Sequence, residues 1–424
     1  MRVSEDPAWT LQVAEHGRSW DEWRSRLRAT TRLPQAKRDE SWKYTRIGPF
    51  EWSGDTPPAS PRPIIQRPKQ RSVRHGDELD WLALSFRQAF EEAPDRLIPW
   101  LGQVALASGR ALSDWNTKAF EDGILVDVPD GVVVDEPIEI LLGIQSPNDS
   151  TWRLETGPRY LFPRILIHLG KGAQASVIER HRWGLESPPE SARPVSRSHR
   201  INAVTEILLG RDAALTHYLE QTGDGNTQAF GLTAIRLEGG SHYRGYTFDA
   251  SAALLRHEHH LLLAEPGSEA QLDGLTLAGR GEHHDRQTWI VHACPGTSSQ
   301  QCFHSIVAGR GMSIYGGQVL MKPGASGCNA TQKNHHLLLD PTAQSRSRPS
   351  LEIAVDDVRC SHGSTSGALD PESLFYLRAR GLDETQARHL LTLAFAGGFL
   401  ERLPNDSLKT SWQQAVRRIL PGME

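Results

Sequence analysis

The apolar positions change period twice along this chain. In residues 1 to about 120 they recur at helical spacing: Trp20, Trp23 and Leu27 share one face, and Leu79, Leu82, Phe86 and Phe90 share another. Between them lies SGDTPPASPRPIIQRPKQRSVRHG (53–76), whose prolines deny the backbone a regular ladder, so it predicts an extended connection. No aromatic residue interleaves with its arginines, which favours a solvated linker over an RNA-binding segment.

From about Gly123 to Val358 the period shortens to two. ILVDV, PIEILLG, ILIHLG, EILLGRDAALTHYLE and IRLEGGSHYRGY alternate apolar and polar residues between turn signals, the mark of strands. The corners LGKGAQA, LGRDAAL, LEGGSHY, AEPGSEA, ACPGTSS and MKPGASG resemble one another, and Gly240, Gly267 and Gly296 stand 27 and 29 residues apart. A repeated strand–corner–strand unit without intervening helices predicts stacked coils. A propeller would need blades of about 40 residues and tight Asn-Gly hairpins, and a sandwich fits the repeat less well. The expected fold is mainly β: a right-handed parallel β-helix whose open ends need cover.

Beyond about Ser361 the helical period returns. Asp370 and Pro371 open a helix bearing Leu374, Phe375 and Leu377, and Gly381 stops it. Asp383 opens a second, with Ala387, Leu390, Leu391, Ala394 and Phe395 on one side, and Asp406 a third, with Trp412 and Ile419. These short, one-sided helices cap the solenoid, bind a partner, or both. The expected units are an N-terminal helical domain (1–120), a β-helix core (121–358) and a C-terminal helical domain (359–424).

Composition narrows the function. A chain of 424 residues with net charge -4 has no global attraction for nucleic acid or anionic membrane. Its first residues lack an apolar leader core and no run reaches the roughly 18 apolar residues of a membrane span, so a cytosolic setting is expected. The four cysteines form no CxxC pair, a pattern that suits neither a disulfide scaffold nor a closed zinc site. No GxxxxGK[ST] loop is present, so no nucleotide site is expected.

The chemistry concentrates in RCSHGSTSG (359–367), read as a small-residue, Gly-rich turn. Cys360 and His362, two apart in extended backbone, point to the same face. A nucleophile would need a base and an oxyanion hole, and no elbow or protease signature surrounds Cys360. Thiolate and imidazole also make good iron or zinc ligands, but two do not complete a site. Inward packing under the turn explains Cys360 equally well. A β-helical carbohydrate enzyme would instead enlist Asp273, Asp285 and Arg286.

The stretch PSLEIAVDDVRCSHGSTSGALDPESLFYLRARGL (349–382) resembles the C-terminal signature of the SufB/SufD family, scaffold subunits of the sulfur-mobilisation iron–sulfur assembly system; the order LEI, DDV, CSHG is that of its SufD branch. LPQAKRDESWKYTRI (33–47), RGMSIYGGQVLM and QKNHHLLL (332–339) support it. Ser364 and Ser366 depart from the Ala and Val common in that turn. The resemblance implies a non-catalytic subunit with this three-part architecture. Its β-helix would pair with that of SufB, and its C-terminal helices, through Leu374, Phe375, Leu391 and Phe395, would dock the SufC ATPase. It also allows a homodimer of the isolated chain. It further implies a transient iron–sulfur cluster at the SufB interface, with none tightly bound to the isolated chain. His362 is the implied ligand, with Cys360 beside it and His335 as a second candidate. The alternatives are the carbohydrate enzyme and a structural adaptor that never touches the cluster.

Overall fold

The computed structural model describes residues 19–25, 27, 42–45, 81–108, 111–143, 159–183, 199–223 and 225–420. The 53–76 connection lies outside them. Two sheets wind around one lumen. The first holds β1 (Leu82–Ser85), β2 (Ile124–Val128), β5 (Arg164–Leu169), β7 (His199–Leu209), β9 (Gln228–Leu237), β11 (Leu254–Leu263), β13 (His283–His292), β15 (Met312–Met321) and β17 (Gln344–Ile353), in that spatial order, with β4 (Arg159–Leu161) beside β7. The second runs from β3 (Ile138–Gly143) through β6 (Gln174–Arg182), β8 (Ala214–Thr222), β10 (His242–Ala250), β12 (Glu269–Ala278), β14 (Ser298–Val307) and β16 (Cys328–Leu338) to β18 (Val358–Gly367). Every pairing among these is parallel except β1 with β2. The chain therefore crosses from one sheet to the other at each corner, and the architecture is the expected parallel β-solenoid with helices towards both termini.

The six similar corners share a backbone reason. Each places at least one residue in the left-handed region: Gly172, Gly240, Gly267 and Gly296 in four, Gly324 and Gly327 together in the fifth, and Asp212 (φ 59°) in the sixth. Asp is one of the few side chains that tolerate that conformation. Inside the lumen, Ile165, Ile167, Val177, Leu215, Ile235, Leu261, Leu272, Ile290, Phe303 and Val319 form one continuous buried cluster.

Among the described residues, the helices that pack on the solenoid lie on the outer faces of the sheets rather than over its ends. On the first sheet, α1 (Trp20–Ser25), α2 (Phe86–Glu92), α3 (Pro94–Leu97), α4 (Gln103–Ala107) and α5 (Ala111–Ala119) surround Phe86, Leu97, Leu112 and Phe120, which join Leu166, Val204, Phe230 and Leu232 of the strands. Buried Glu206 of β7 locks this contact: it accepts from Gly102 N at 2.9 Å, Val104 N at 3.1 Å and Ala105 N at 3.0 Å, and pairs with Arg164 at 2.6 Å. The helical face expected over Leu79–Phe90 is corrected. Leu82–Ser85 is strand β1, and the helix begins at Phe86, where Ser85 and Gln88 form a capping box. Leu79 lies outside the described residues.

On the second sheet, α7 (Glu384–Leu400) and α8 (Asp406–Ile419) bury Ala396, Phe399, Leu400, Leu408, Trp412 and Val416 against Tyr218, Phe248, Leu275, Leu277 and Ile306. Asp383 caps α7 as expected, while Asn405 rather than Asp406 caps α8. In α6 (Pro371–Ala379), Asp370 caps, Pro371 follows and Gly381 (φ 98°) ends the turn. No described helix is long and apolar enough to cross a membrane.

Candidate functional site

The segment read as a Gly-rich turn is a strand. RCSHGSTSG lies within β18, the last member of the second sheet, and β17 is the last of the first. Each has a neighbour on one side only among the described residues, and most of their residues are exposed. A ten-residue strand with an unpaired edge presents a row of free N–H and C=O groups. The solenoid thus ends on an open coil, which no described helix covers.

Register places the candidate ligands on this coil. Cys360 pairs with Ala330 and His362 with Gln332 of β16. Cys360 packs against the lumen cluster, its Sγ 3.6 Å from the Met321 sulfur. Alternation puts His362 on that same inner face, at the mouth of the lumen. The Cys360 thiol is pushed up by burial and by Cys328, partly opposed by the Ala330 backbone, so it rests protonated and becomes a ligand only when a metal or partner displaces the proton. His362 itself is exposed.

Below His362 the lumen is polar. Gln332 is buried, and neither of its amide atoms has a partner among the described residues; the Gln301 Nε2 is also unpartnered, while its oxygen accepts from the Tyr315 hydroxyl at 3.3 Å. Deeper lie Arg286 paired with Asp249, the imidazoles of His257 and His259 tilted against each other with ring centres 4.6 Å apart, and Glu179 held between His181 (2.5 Å) and His217 (3.0 Å). Burial alone would raise the Glu179 carboxyl, but the charge and hydrogen bonds of these two histidines bring it well below the usual range. Burial, reinforced by neighbouring cations, drives His257 and His259 in the neutral direction. Sequence reasoning missed this column, although Gln301 and Gln332 occupy strand positions whose alternation points inward.

His335 stands apart from Cys360 and His362. It lies on the outer face of β16, where it registers with His304 and with Thr365, to which its Nδ1 is bonded at 2.8 Å. The sheet separates it from the lumen mouth. Among the candidate docking residues, Phe375 projects fully, 75% exposed, whereas Leu374 and Leu391 are half-buried and Phe395 packs on the second sheet's outer face, its ring 5.3 Å from that of His304. Tyr376 (57%) and Leu390 (46%) add exposed apolar surface that the sequence left unassigned to a partner.

The carbohydrate-enzyme residues do not converge. Asp285 is paired with Arg256 on the first sheet's outer face, next to Thr45; Arg286 faces the lumen; Asp273 lies on the second sheet, 3.3 Å from Arg402. Two carboxylates flanking a glycosidic bond need facing positions on one surface, and these lie on opposite sheets. They serve as structural ion pairs. Trp42–Thr45, the described part of the SWKYT stretch, has a structural role too: Trp42 stacks on Phe230 and under Arg256 (3.8 Å to the ring centre), and the Thr45 hydroxyl reaches His283 at 3.1 Å and Asp285.

Fold and site together define a parallel β-solenoid protein with helices on both flanks, a terminal coil unpaired among the described residues and a Cys–x–His pair at its lumen mouth. Residues 152–395 match the SufBD core domain of the SUF system for FeS cluster assembly, and residues 74–140 match the SufBD N-terminal region. The chain belongs to this SufBD family of iron–sulfur cluster assembly proteins. A SufBD family assembly protein of Synechocystis sp. is 31% identical over 323 residues, 76% of this chain and 69% of its own. The assembly protein SufD of Escherichia coli is 27% identical over 405 residues, 92% and 90% of the two chains. The chloroplastic protein ABCI7 of Arabidopsis thaliana is 26% identical over 332 residues, 78% and 67% respectively.

Proposed function

We propose that this chain is the SufD-type subunit of a cytosolic three-component scaffold, pairing its open terminal coil with a SufB-type solenoid. The observation that carries the reading is the unpaired β17–β18 edge with Cys360 and His362 on its inner face. Edge strands bind partners by continuing the sheet, and an incomplete ligand pair at such an edge gains its remaining donors from the partner. His362 is the principal ligand to the nascent cluster and Cys360 the auxiliary one. His335, across the sheet, does not contribute at this mouth. The cluster is cargo, transient and shared, and the isolated chain holds none tightly. The chain is a non-catalytic member, and ATP hydrolysis belongs to a SufC-type ATPase docked through the surface of Phe375, Tyr376 and Leu390.

Co-expression with SufB- and SufC-type partners, purification and anaerobic reconstitution test this. His362→Ala is expected to leave the complex intact by size-exclusion chromatography, because one exposed residue carries little of a large interface. Cluster absorbance per complex should fall about tenfold or more, and Cys360→Ser should lose less. If the His362 variant assembles and loads like wild type, the chain is a structural adaptor at this mouth.

A further inference from the structure

The outer face of the second sheet brings together three donors that are scattered in the sequence. Cys302 and His304, two apart on β14, project towards α7, and His335 stands beside His304 on β16. Their ligand atoms all lie within 4.8 Å of one another, and the His304 and His335 ring centres are 5.1 Å apart. We propose that Cys302, His304 and His335 form a mononuclear site for a borderline-soft divalent ion of the zinc class, complete within one chain and separate from the lumen mouth.

Two further features favour a ligand there over packing alone. The His304 Nδ1 is buried and finds no hydrogen-bond partner among the described residues, which is costly for a polar atom beside an aromatic ring. His335 is held by its Nδ1 contact with Thr365, which leaves Nε2 to face the cluster; a hydrogen bond at the other ring nitrogen is how metal-binding imidazoles are oriented.

The donor chemistry selects the ion. One thiolate and two imidazoles form a tetrahedral set with a fourth place for water, the pattern of zinc rather than of calcium or magnesium. With bonds of about 2.3 Å to sulfur and about 2.0–2.1 Å to nitrogen, tetrahedral donors stand roughly 3.5 Å apart, so the observed spread closes with rotamer adjustments of about an ångström. Burial holds the proton on the Cys302 thiol, opposed in part by Arg402 beside the sulfur, so it is the forming metal–sulfur bond that displaces this proton to solvent. One thiolate is too few for an iron–sulfur cluster, so this site and the cluster reading stand or fall separately.

Cobalt(II) as the chloride is the probe, titrated anaerobically into the purified full-length chain without partners. One equivalent should give a thiolate-to-cobalt charge-transfer band with tetrahedral visible bands, both erased by one equivalent of zinc. Cys302→Ser should abolish the charge-transfer band, and His335→Ala should weaken cobalt binding about 10- to 100-fold. Cys360→Ser and His362→Ala should leave the spectrum unchanged. If Cys302→Ser fails to fold by circular dichroism, His335→Ala, at a half-exposed position, carries the test. Absence of a thiolate band in wild type, its loss in Cys360→Ser, or undiminished binding in a folded Cys302 or His335 variant overturns the site.

Discussion

Trp412 is the strongest test of how the C-terminal helices are held. Its side chain is 1% exposed, stacked between Phe248 at 5.5 Å and Phe399 at 6.0 Å, and its indole N–H donates to Glu220 at 3.1 Å. Trp412→Ala removes the stack and the bond together. Truncating a buried aromatic of this size costs about 3–5 kcal/mol. Glu220 keeps Arg182 at 3.1 Å, so no orphaned carboxylate adds to the loss. Trp412→Phe keeps most of the stacked area and forfeits the charged hydrogen bond, about 1.5–3 kcal/mol. Because the indole joins α8 to the sheet, the loss should appear as easier local detachment of α7 and α8 rather than as melting of the coils. At about 1.4 kcal/mol per decade, amide protection in 384–419 should drop by roughly two to four orders of magnitude for Ala and one to two for Phe. Hydrogen exchange by mass spectrometry reads this directly, with 254–307 as the internal control. Unchanged protection in α7 and α8, or an equal drop across β11–β14, would refute the reasoning.

Acid should loosen the solenoid. Burial holds the imidazoles of His284 and His292 down at about 4. An unfolded histidine titrates near 6.5, so the unfolded chain binds more protons between these values and stability falls as pH drops from about 6.5 to 4, by up to roughly 3 kcal/mol per group. Glu282, raised by burial to about 7, acts in the opposite direction between 7 and 4.5, and burial raises Asp122 and Asp273 in the same sense. Burial holds His304 and His336 down at about 4 as well, so the histidines outnumber them. Melting temperatures across pH 4–7 that stay flat or rise on acidification would contradict this. Gly311→Ala should destabilise by more than about 2 kcal/mol, because its Cβ would strike the Ala278 carbonyl, fixed in the neighbouring coil; chemical denaturation within about 0.5 kcal/mol of wild type would refute it. Phe375→Asp is expected to leave the melting curve unchanged and to lower co-purification of the ATPase partner several-fold, and an undiminished pull-down would remove α6 from the docking surface.

The sequence made the solenoid legible because its corners repeat: the same residues that drew notice at Gly240, Gly267 and Gly296 are those with left-handed backbone. Local pattern failed where tertiary pairing decides. Leu82 and Phe86 have helical spacing, yet Leu82–Ser85 pairs with Ile124–Asp127 of β2, a partner that lies about 40 residues away. Cys360-Ser-His-Gly looked like a corner because an edge strand with little buried surface carries no apolar alternation. Cys360 and His362 were found from residue type and spacing, with the resemblance deciding among their roles. The meeting of Cys302 and His304 with His335 required the register of β14 on β16, which no local spacing announces. Nor does an amphipathic helix declare whether its apolar side covers a sheet's flank or a solenoid's end.

The segment Trp42–Thr45 has a kinetic consequence. Thr45 bonds to Asp285, 240 residues further along the chain, whereas each coil bonds chiefly to the coil about 30 residues before it. Coils can therefore add one at a time as the chain is synthesised, each templated by its predecessor. Thr45 has no Asp285 to meet until β13 has emerged, which at 5–20 residues per second leaves it waiting roughly 12 to 50 seconds. The early segment acts as a clasp that closes late, so substitution of Trp42 or Thr45 should spare the growth of the coils and slow only the final step of refolding.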